Sequence, residues 1–429
     1  MSKVLFRGSQ IKSGLVGGEL ATACAKIEAV RNATKLLKSH LLEASVSGGS
    51  NDVECETQNF LNSTDVVRYA VLCANIKLHP FRQLSLEHCL AIANSFDLKD
   101  AFAEQVKVRP KQKANGDFRA VCDFGILRRT LQCQIKWVME CIYVPRTFQF
   151  DSVHKAISRV KSQISNGAVW CATLDIKNHF GSFDEAKLAN LLPSLPKEWV
   201  ENAVSSRHIA AVSPYIGKLH SMLLDKARQG ISTGSMSSPI VAAYSMSKLD
   251  WLIQAELFLC NYADNFILMS PSKDELSIGV GKLIAAVAKL PGGNFTLTLI
   301  EQAHAKPGVK FLGHVMTLKP DGLQTSPSPA AVNRMYADLL EIEERLLPIL
   351  YPVGGPLSAA QAFKAEVVLS EMCSMIKGWV AAFNQCDRIA EHEKAFLYPL
   401  NYHAERLGKD IMNLYGKALG KYDPEFSAA

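Results

Sequence analysis

Two apolar runs of strand length, Leu257-Phe258-Leu259 and Phe266-Ile267-Leu268, flank a polar tip that reads Asn261-Tyr262-Ala263-Asp264-Asn265. The pattern predicts a buried β-hairpin carrying a carboxylate at its turn. Taken alone, such an Asp and Asn are better read as serving the turn than as a ligand site. A second apolar run, Val169 to Leu174, ends in Asp175, and an aromatic, Phe180, follows five residues later. Between the two acidic strands lies Gly230-Ile231-Ser232-Thr233-Gly234-Ser235-Met236-Ser237-Ser238-Pro239, a Gly/Ser loop running into an apolar helix. Ser238 fits an N-cap there and Pro239 the first helical position. The small residues leave backbone open to close approach.

The rest of the chain alternates helical and strand periods. Leu20, Cys24, Ile27, Val30, Leu37 and Leu41 predict a helix over 18–44, closed by the Gly/Ser break at 45–50. A second helical pattern covers 59–95. Lys107, Arg109, Lys111 and Lys113 alternate, so a strand would carry all four on one face. Asn115-Gly116 then signals a hairpin. Charge runs of this kind are most often solvated faces. A helix over 152–168 ends at Asn166-Gly167, and Phe295–Leu299 alternates as a strand after the turn at 291–294. The Pro- and Ser-rich stretch 317–330 reads as a linker. Beyond it Leu339, Ile342, Leu346 and Ile349 predict a helix, a break falls at 352–356, and long helices follow over 358–383 and 388–419.

Composition changes this picture little. With 429 residues, 48% hydrophobic and 21% charged, the chain is globular and long enough for two or three subdomains. A formal charge of +6 allows a nucleic-acid partner without demanding one. Eleven cysteines without CxxC or Cys/His spacing predict reduced thiols in a cytosolic protein, not a zinc site or a disulfide framework. No signal peptide and no apolar run of spanning length is read.

Together the three polar-tipped stretches resemble the reverse transcriptases. That family's first motif is an apolar strand, an Asp, and an aromatic at the fifth position after it. Its second is a TGxx(S/T)SP loop entering a helix, and its third is Tyr-x-Asp-Asp. All three occur here in the family's order, with one departure: Asn265 stands where the family usually has its second Asp. The resemblance implies an α+β right-hand polymerase fold, with fingers, a palm of antiparallel sheet and helices, and an all-helical thumb. It implies boundaries of 1–104 for an N-terminal helical extension and the start of the fingers, 105–168 for the fingers, 169–320 for the palm, and 330–429 for the thumb and C-terminal extension.

It also implies roles. The activity is RNA-directed DNA synthesis by two-metal nucleotidyl transfer, with two Mg²⁺ ions or Mn²⁺ in their place. Asp175, Asp264 and Asn265 are the catalytic set, and Asp175, Asp264 and the Ile176 carbonyl the metal ligands. Magnesium takes hard oxygens and commonly only one or two protein carboxylates. Asn265 offers an amide oxygen but no charge. Arg119 matches the Arg that clamps the triphosphate, with Lys111 or Lys113 as its partner; a guanidinium meets phosphate oxygens bidentately. Phe180 matches the aromatic beneath the sugar, and Thr233 and Gly234 the positions lining the nucleotide. Template and primer contacts fall to Arg129, Gln132, Ser238, Pro239, Tyr262, Lys306, Gly313 and Trp379. Arg129 and Gln132 sit in a DR-x-x-Q-like segment in which Arg128 replaces the Asp. Ala303 stands where many relatives carry a pyrophosphate-protonating Lys, which leaves Lys306 as the nearest cation.

Elimination narrows the resemblance to compact bacterial enzymes of abortive-infection and antiphage defence, related to those of retrons and group II introns. The Ser-Pro of the second motif differs from the Ser-Gln of diversity-generating enzymes, and there is no retron VTG signature. No room is read for an RNase H, maturase DNA-binding or endonuclease domain. The partners so implied are a dedicated noncoding RNA template, a DNA product and dNTPs, in the cytoplasm and with no membrane. Two rival readings are an RNA-binding scaffold whose site has decayed at Asn265 and an intron-encoded splicing cofactor.

Overall fold

The computed structural model describes residues 18–78, 82–112, 116–251, 257–352 and 356–418, with side chains from residue 21 onward. Helices α1 (Gly18–Ser47), α2 (Ser50–Asn62), α3 (Thr64–Ile76), α4 (Leu86–Asn94) and α5 (Leu98–Ala103) lead into strands β1 (Val106–Gln112) and β2 (Phe118–Asp123). Then come α6 (Ile126–Ile142), α7 (Val153–Ser165), β3 (Trp170–Ile176), α8 (Glu185–Leu191), β4 (Ala211–Val212), α9 (Gly217–Ala227) and α10 (Ser238–Ser247). The hairpin β5 (Phe258–Tyr262) and β6 (Asn265–Ser270) precedes α11 (Lys273–Val287) and strands β7 (Leu297–His304), β8 (Val309–Phe311), β9 (His314–Lys319) and β10 (Gly322–Pro327). Four helices follow: α12 (Pro329–Leu350), α13 (Ala359–Ala382), α14 (Ile389–Arg406) and α15 (Ile411–Lys417).

Three expectations change. The single helical pattern over 59–95 is broken because Ser63 and Ser85 each cap a new helix, accepting from Val66 N and His88 N. The expected linker at 317–330 is instead the β9–β10 hairpin and the start of α12, since its Ser and Thr residues pair in register, Thr317 with Gln324 and Thr325 with Met316. The last long helix ends at Arg406, where Gly408 takes φ +62° and Asp410 caps a separate α15.

The chain forms two units. The first comprises 1–147, 176–252 and 282–298. In it, α1, α3 and α4 bury Ile27, Tyr69, Leu72 and Cys89, with Trp137 of α6 stacked on Tyr69 at 5.4 Å. A three-stranded sheet has the order β2-β1-β4. Val106 and Val108 face its core with Leu223 and Ala227 of α9, while Lys107, Arg109 and Lys111 face out. Glu104 closes the N-terminus of α6 by accepting from Leu127 N (3.1 Å) and Arg128 N (3.0 Å). A side chain at Gly125 would overlap that carboxylate.

The second unit comprises 148–175, 253–281 and 299–429. The sheet order is β5-β6-β3-β7. Helix α7 covers it, placing Ile157, Val160 and Ile164 on Cys260, Ile267 and Met269. Beside it runs the sheet β10-β9-β8. Helices α12 to α15 bury their own core, including Leu346, Leu369, Ile376, Phe396 and Leu400. Among the described residues, no helix is long and apolar enough to cross a membrane.

Candidate active site

In the second unit, β3 and β6 pair antiparallel with Asp175 opposite Asn265, and β5 pairs with β6 so that Tyr262 is also opposite Asn265. Directly paired residues share a sheet face. Tyr262, Asn265 and Asp175 therefore form a row across three strands, and Asp264 stands in the turn beside it. That turn has two residues, Ala263 and Asp264, with Ala263 in the left-handed region at φ +55°. Asn265 Nδ2 donates to Asp264 Oδ1 at 2.9 Å. Ile176, next after Asp175, has its side chain buried.

Asp175 and Asn265 also line a cavity of about 390 Å³, together with Lys310, Leu312, Gly313 and His314. Leu312 and Gly313 make a left-handed turn, φ +46° and +78°. A Cβ on Gly313 would lie 3.3 Å from the Phe383 ring, so this glycine also gives the helices room. His314 is buried, its Nδ1 lies 2.9 Å from the Leu312 carbonyl, and its ring meets Phe383 at 4.7 Å. Burial pulls its pKa below the ordinary histidine value, with nearby His154 and Lys161 acting in the same direction. The sequence reading missed Lys310 and His314, although both flank the Phe311-Leu312-Gly313 turn. Lys306 is exposed in the turn after β7 and does not line the cavity. Trp379 packs on Phe383 (4.6 Å) and Phe396 (4.9 Å), which makes it part of the helical core.

In the first unit, Lys111 is the cross-strand partner of Arg119, and both are exposed. Lys113 lies outside the described residues. Phe180 is half-buried in the short 3₁₀ turn His179–Ser182. Its carbonyl accepts from Ile231 N at 2.9 Å. Gly230 sits against that same carbonyl with φ +60°, and a Cβ there would come within 1.9 Å of it. Gly234, at φ +105°, likewise lies against the Cys122 carbonyl, while Cys122 N donates to Thr233 O at 2.8 Å. The loop is thus seated on Phe180 at one end and on β2 at the other, with Thr233 half-buried and Gly234 exposed.

Other positions turn out to support this frame. Gln132 is buried and its Oε1 accepts from Met236 N at 3.2 Å, bracing the loop. Arg129 is tied to the Phe124 carbonyl at 3.0 Å and to Asp123. Arg128 is buried, with Nη1 donating to Asn202 O (2.7 Å) and Nη2 to Phe102 O (2.5 Å). Its guanidinium ties α6 to two backbone segments, and burial lowers its pKa. Helix α10 begins one residue earlier than expected: Ser237 is the N-cap, and Ser238 is a buried helical residue ahead of exposed Pro239.

Residues 109–316 match the family profile described as reverse transcriptase (RNA-dependent DNA polymerase). Over these residues, just under half of its length, the chain is similar to a reverse transcriptase domain. Its architecture is α+β. Among solved structures it is similar to telomerase from Candida albicans bound to a fragment of telomeric RNA, at 11% identity and TM-score 0.33 over 75% of this chain and 64% of that one. It is similar to apo telomerase from Candida tropicalis at 10% identity and TM-score 0.36, over 93% of this chain and 90% of that one. A Sicinivirus RNA-dependent RNA polymerase gives 12% identity and TM-score 0.37 over 70% and 66% of the two chains. Similarity this low says nothing about substrate. No curated protein sequence matches the chain.

Proposed function

We propose that this chain is an RNA-directed DNA polymerase whose metal site is built from Asp175 and Asp264. The observation that carries the reading is the β3–β6 register. It sets Asp175 opposite Asn265, both at the wall of a cavity of about 390 Å³, with Asp264 in the turn next to Asn265. The donor set fits a hard divalent cation, for it consists of two carboxylates, the Asn265 amide oxygen and the Ile176 carbonyl, all oxygens. Mg²⁺ ions held there would stabilise the attacking and leaving oxygens of an in-line displacement at phosphorus.

The other roles belong to this chain's own groups. Arg119 and Lys111, adjacent on an exposed face, would bind the triphosphate of an incoming dNTP. Phe180, its backbone held by Ile231, would lie beneath the deoxyribose and exclude a ribose hydroxyl. Thr233 and the bare backbone at Gly234 would meet the base pair. Gly313, at the cavity rim, would seat a primer end, with Lys310 near its phosphates. On this reading the fingers span 105–168, the palm 169–320 and the thumb 330–429, and Tyr262, Lys306, Arg129 and Ser238-Pro239 line the path of the template and primer.

The finer reading is an antiphage-defence enzyme that copies a noncoding RNA in the cytoplasm. Its support is the Ser-Pro form of the second motif together with the thiols. All eleven cysteines are free. Burial pushes Cys122 up to about 11 and Cys171 and Cys260 up to about 12, so these sulfurs are inert packing groups. A second reading, the RNA-binding scaffold, is favoured by one observation: residue 265 is an amide already engaged with Asp264. Extension of a DNA primer on an RNA template with dNTPs and Mg²⁺ separates the two. The polymerase reading expects extension that Asp175→Ala and Asp264→Ala abolish. RNA binding without extension, in both the wild-type chain and Asn265→Asp, would leave the scaffold.

A further inference from the structure

We propose that Asn261 is a positioning residue that aims Asp264, acting through the turn and through Asn265. The inference rests on the metal-site reading above and assigns a role to a residue that reading does not use. In two-residue hairpin loops the first position often needs positive φ, and Gly is the residue that adopts it without strain. Here the position is Ala263 at φ +55°. A Cβ in that region is strained, so the surrounding structure must hold the turn in place.

Asn261 supplies that hold. It is buried in β5 next to Cys260, which is fully buried, and its cross-strand partner is Phe266. An amide in such apolar company is costly unless its hydrogen bonds are made. Its Nδ2 donates to the carbonyls of Ala263 (2.9 Å) and Asn265 (3.2 Å), on both sides of Asp264. Its own backbone is anchored to a neighbouring segment, with Asn261 N donating to Phe148 O at 2.7 Å and Phe150 N to Asn261 O at 3.0 Å. From the turn, Asn265 Nδ2 reaches Asp264 Oδ1 at 2.9 Å. A continuous series of hydrogen bonds thus runs from the 148–150 segment through Asn261 to the carboxylate. Asn265 completes it as a donor, which an Asp at 265 could not do while ionised.

The test compares full-length wild type with Asn261→Leu, which keeps the volume but removes the donor. The readouts are Mn²⁺ binding without nucleotide, followed by electron paramagnetic resonance, then steady-state dNTP incorporation and melting temperature. We expect Asn261→Leu to raise the Mn²⁺ dissociation constant about fivefold and lower kcat about tenfold, with the dNTP KM within about twofold. Adding Ala263→Gly, which removes the strain, should restore at least about half of the lost metal affinity. A purely structural role would lower the melting temperature but leave the metal affinity of the folded fraction unchanged, and that result would overturn the proposal. Should Asn261→Leu not fold, the isosteric Asn261→Asp replaces it; failure of both while Asp264→Ala folds would also overturn it. Unaltered Mn²⁺ binding in Asp264→Ala would instead sink the metal-site reading itself, so the two failures are told apart.

Discussion

Two of the antiparallel hairpins, β1–β2 and β5–β6, bear proposed site residues and are built in opposite ways. In β1–β2 the outward positions Lys107, Arg109, Lys111 and Arg119 are all exposed. In β5–β6, five of the six residues of β6 are buried, and the turn is fastened by a buried amide. On the proposed function, the contrast follows from what each would hold. A triphosphate is a flexible polyanion that solvated cations can follow, and charges on an exposed strand carry no desolvation cost. A carboxylate that shares an ion with a partner from another strand must be held to within a few tenths of an ångström. Substitutions should therefore act on chemistry in the second hairpin and on binding in the first.

The largest effect belongs to the braced hairpin. Asp175→Ala and Asp264→Ala should each lower kcat for dNTP addition by about a thousandfold or more, equivalent to about 4 kcal/mol, with RNA affinity unchanged. Residual activity above about a tenth of wild type in either single variant would remove that carboxylate from the reacting centre.

Next in size is sugar selection, which tests whether a residue can share the rigidity of the second hairpin without lying in it. Phe180 is fixed through its carbonyl by Ile231 and by the close approach of Gly230. Phe180→Ala should shift the ratio of kcat/KM for ribo- over deoxyribonucleotides by about a hundredfold, about 2.7 kcal/mol. An unchanged ratio in a folded, active variant would reduce the ring to packing.

Asn265→Asp sharpens the comparison at a smaller scale. It adds a charge for the cations but replaces the donor facing Asp264 with a second carboxylate. Incorporation should rise about tenfold, while the metal-free melting temperature falls by about 2 °C. Equal activity in the two forms would mean that the second acid of the family motif is dispensable here.

In the exposed hairpin the effects should fall on KM. Arg119→Ala should raise the dNTP KM about tenfold and Lys111→Ala about threefold, with kcat nearly unchanged, and added salt should narrow the difference. A loss of kcat in Lys111→Ala would mean that this face also aligns the reacting atoms.

The elements carrying these effects were legible because their signals are local. Apolar runs with a polar tip gave both acidic strands, alternating cations gave β1, and Gly-Ser-Pro punctuation gave the loop before α10. Asn261, Gln132 and Arg128 were not legible in the same way. Gln132 and Arg128 act on backbone groups distant in the chain, Gln132 on Met236 and Arg128 on Asn202 and Phe102, while the Asn261 amide acts on the carbonyls of its own turn, Ala263 and Asn265. A buried amide or guanidinium has no periodicity to betray it. Only the pairing of the carbonyls and N–H groups around it gives it a reason. The 317–330 stretch misled for the converse reason, because Ser, Thr and Pro are loop residues by composition and become a hairpin only once β9 offers a partner.

The smallest expected effect concerns pH and the cavity wall behind the braced hairpin. His314 is buried against Phe383, and burial depresses its folded-state pKa below the ordinary 6.5. Between the folded and unfolded values the unfolded chain binds a proton that the native one does not, so stability falls as pH drops through that window and levels off below the folded value. His154 and Lys161 oppose a charge on this ring as well, while its hydrogen bond to the Leu312 carbonyl works the other way. In His314→Gln the amide can still reach Leu312 but does not titrate. The loss of melting temperature between about pH 7.5 and pH 5 should therefore shrink by about 1–2 °C relative to wild type. If His314→Gln keeps the full acid sensitivity, the proton is taken up elsewhere, and the ring contributes to the cavity by shape alone.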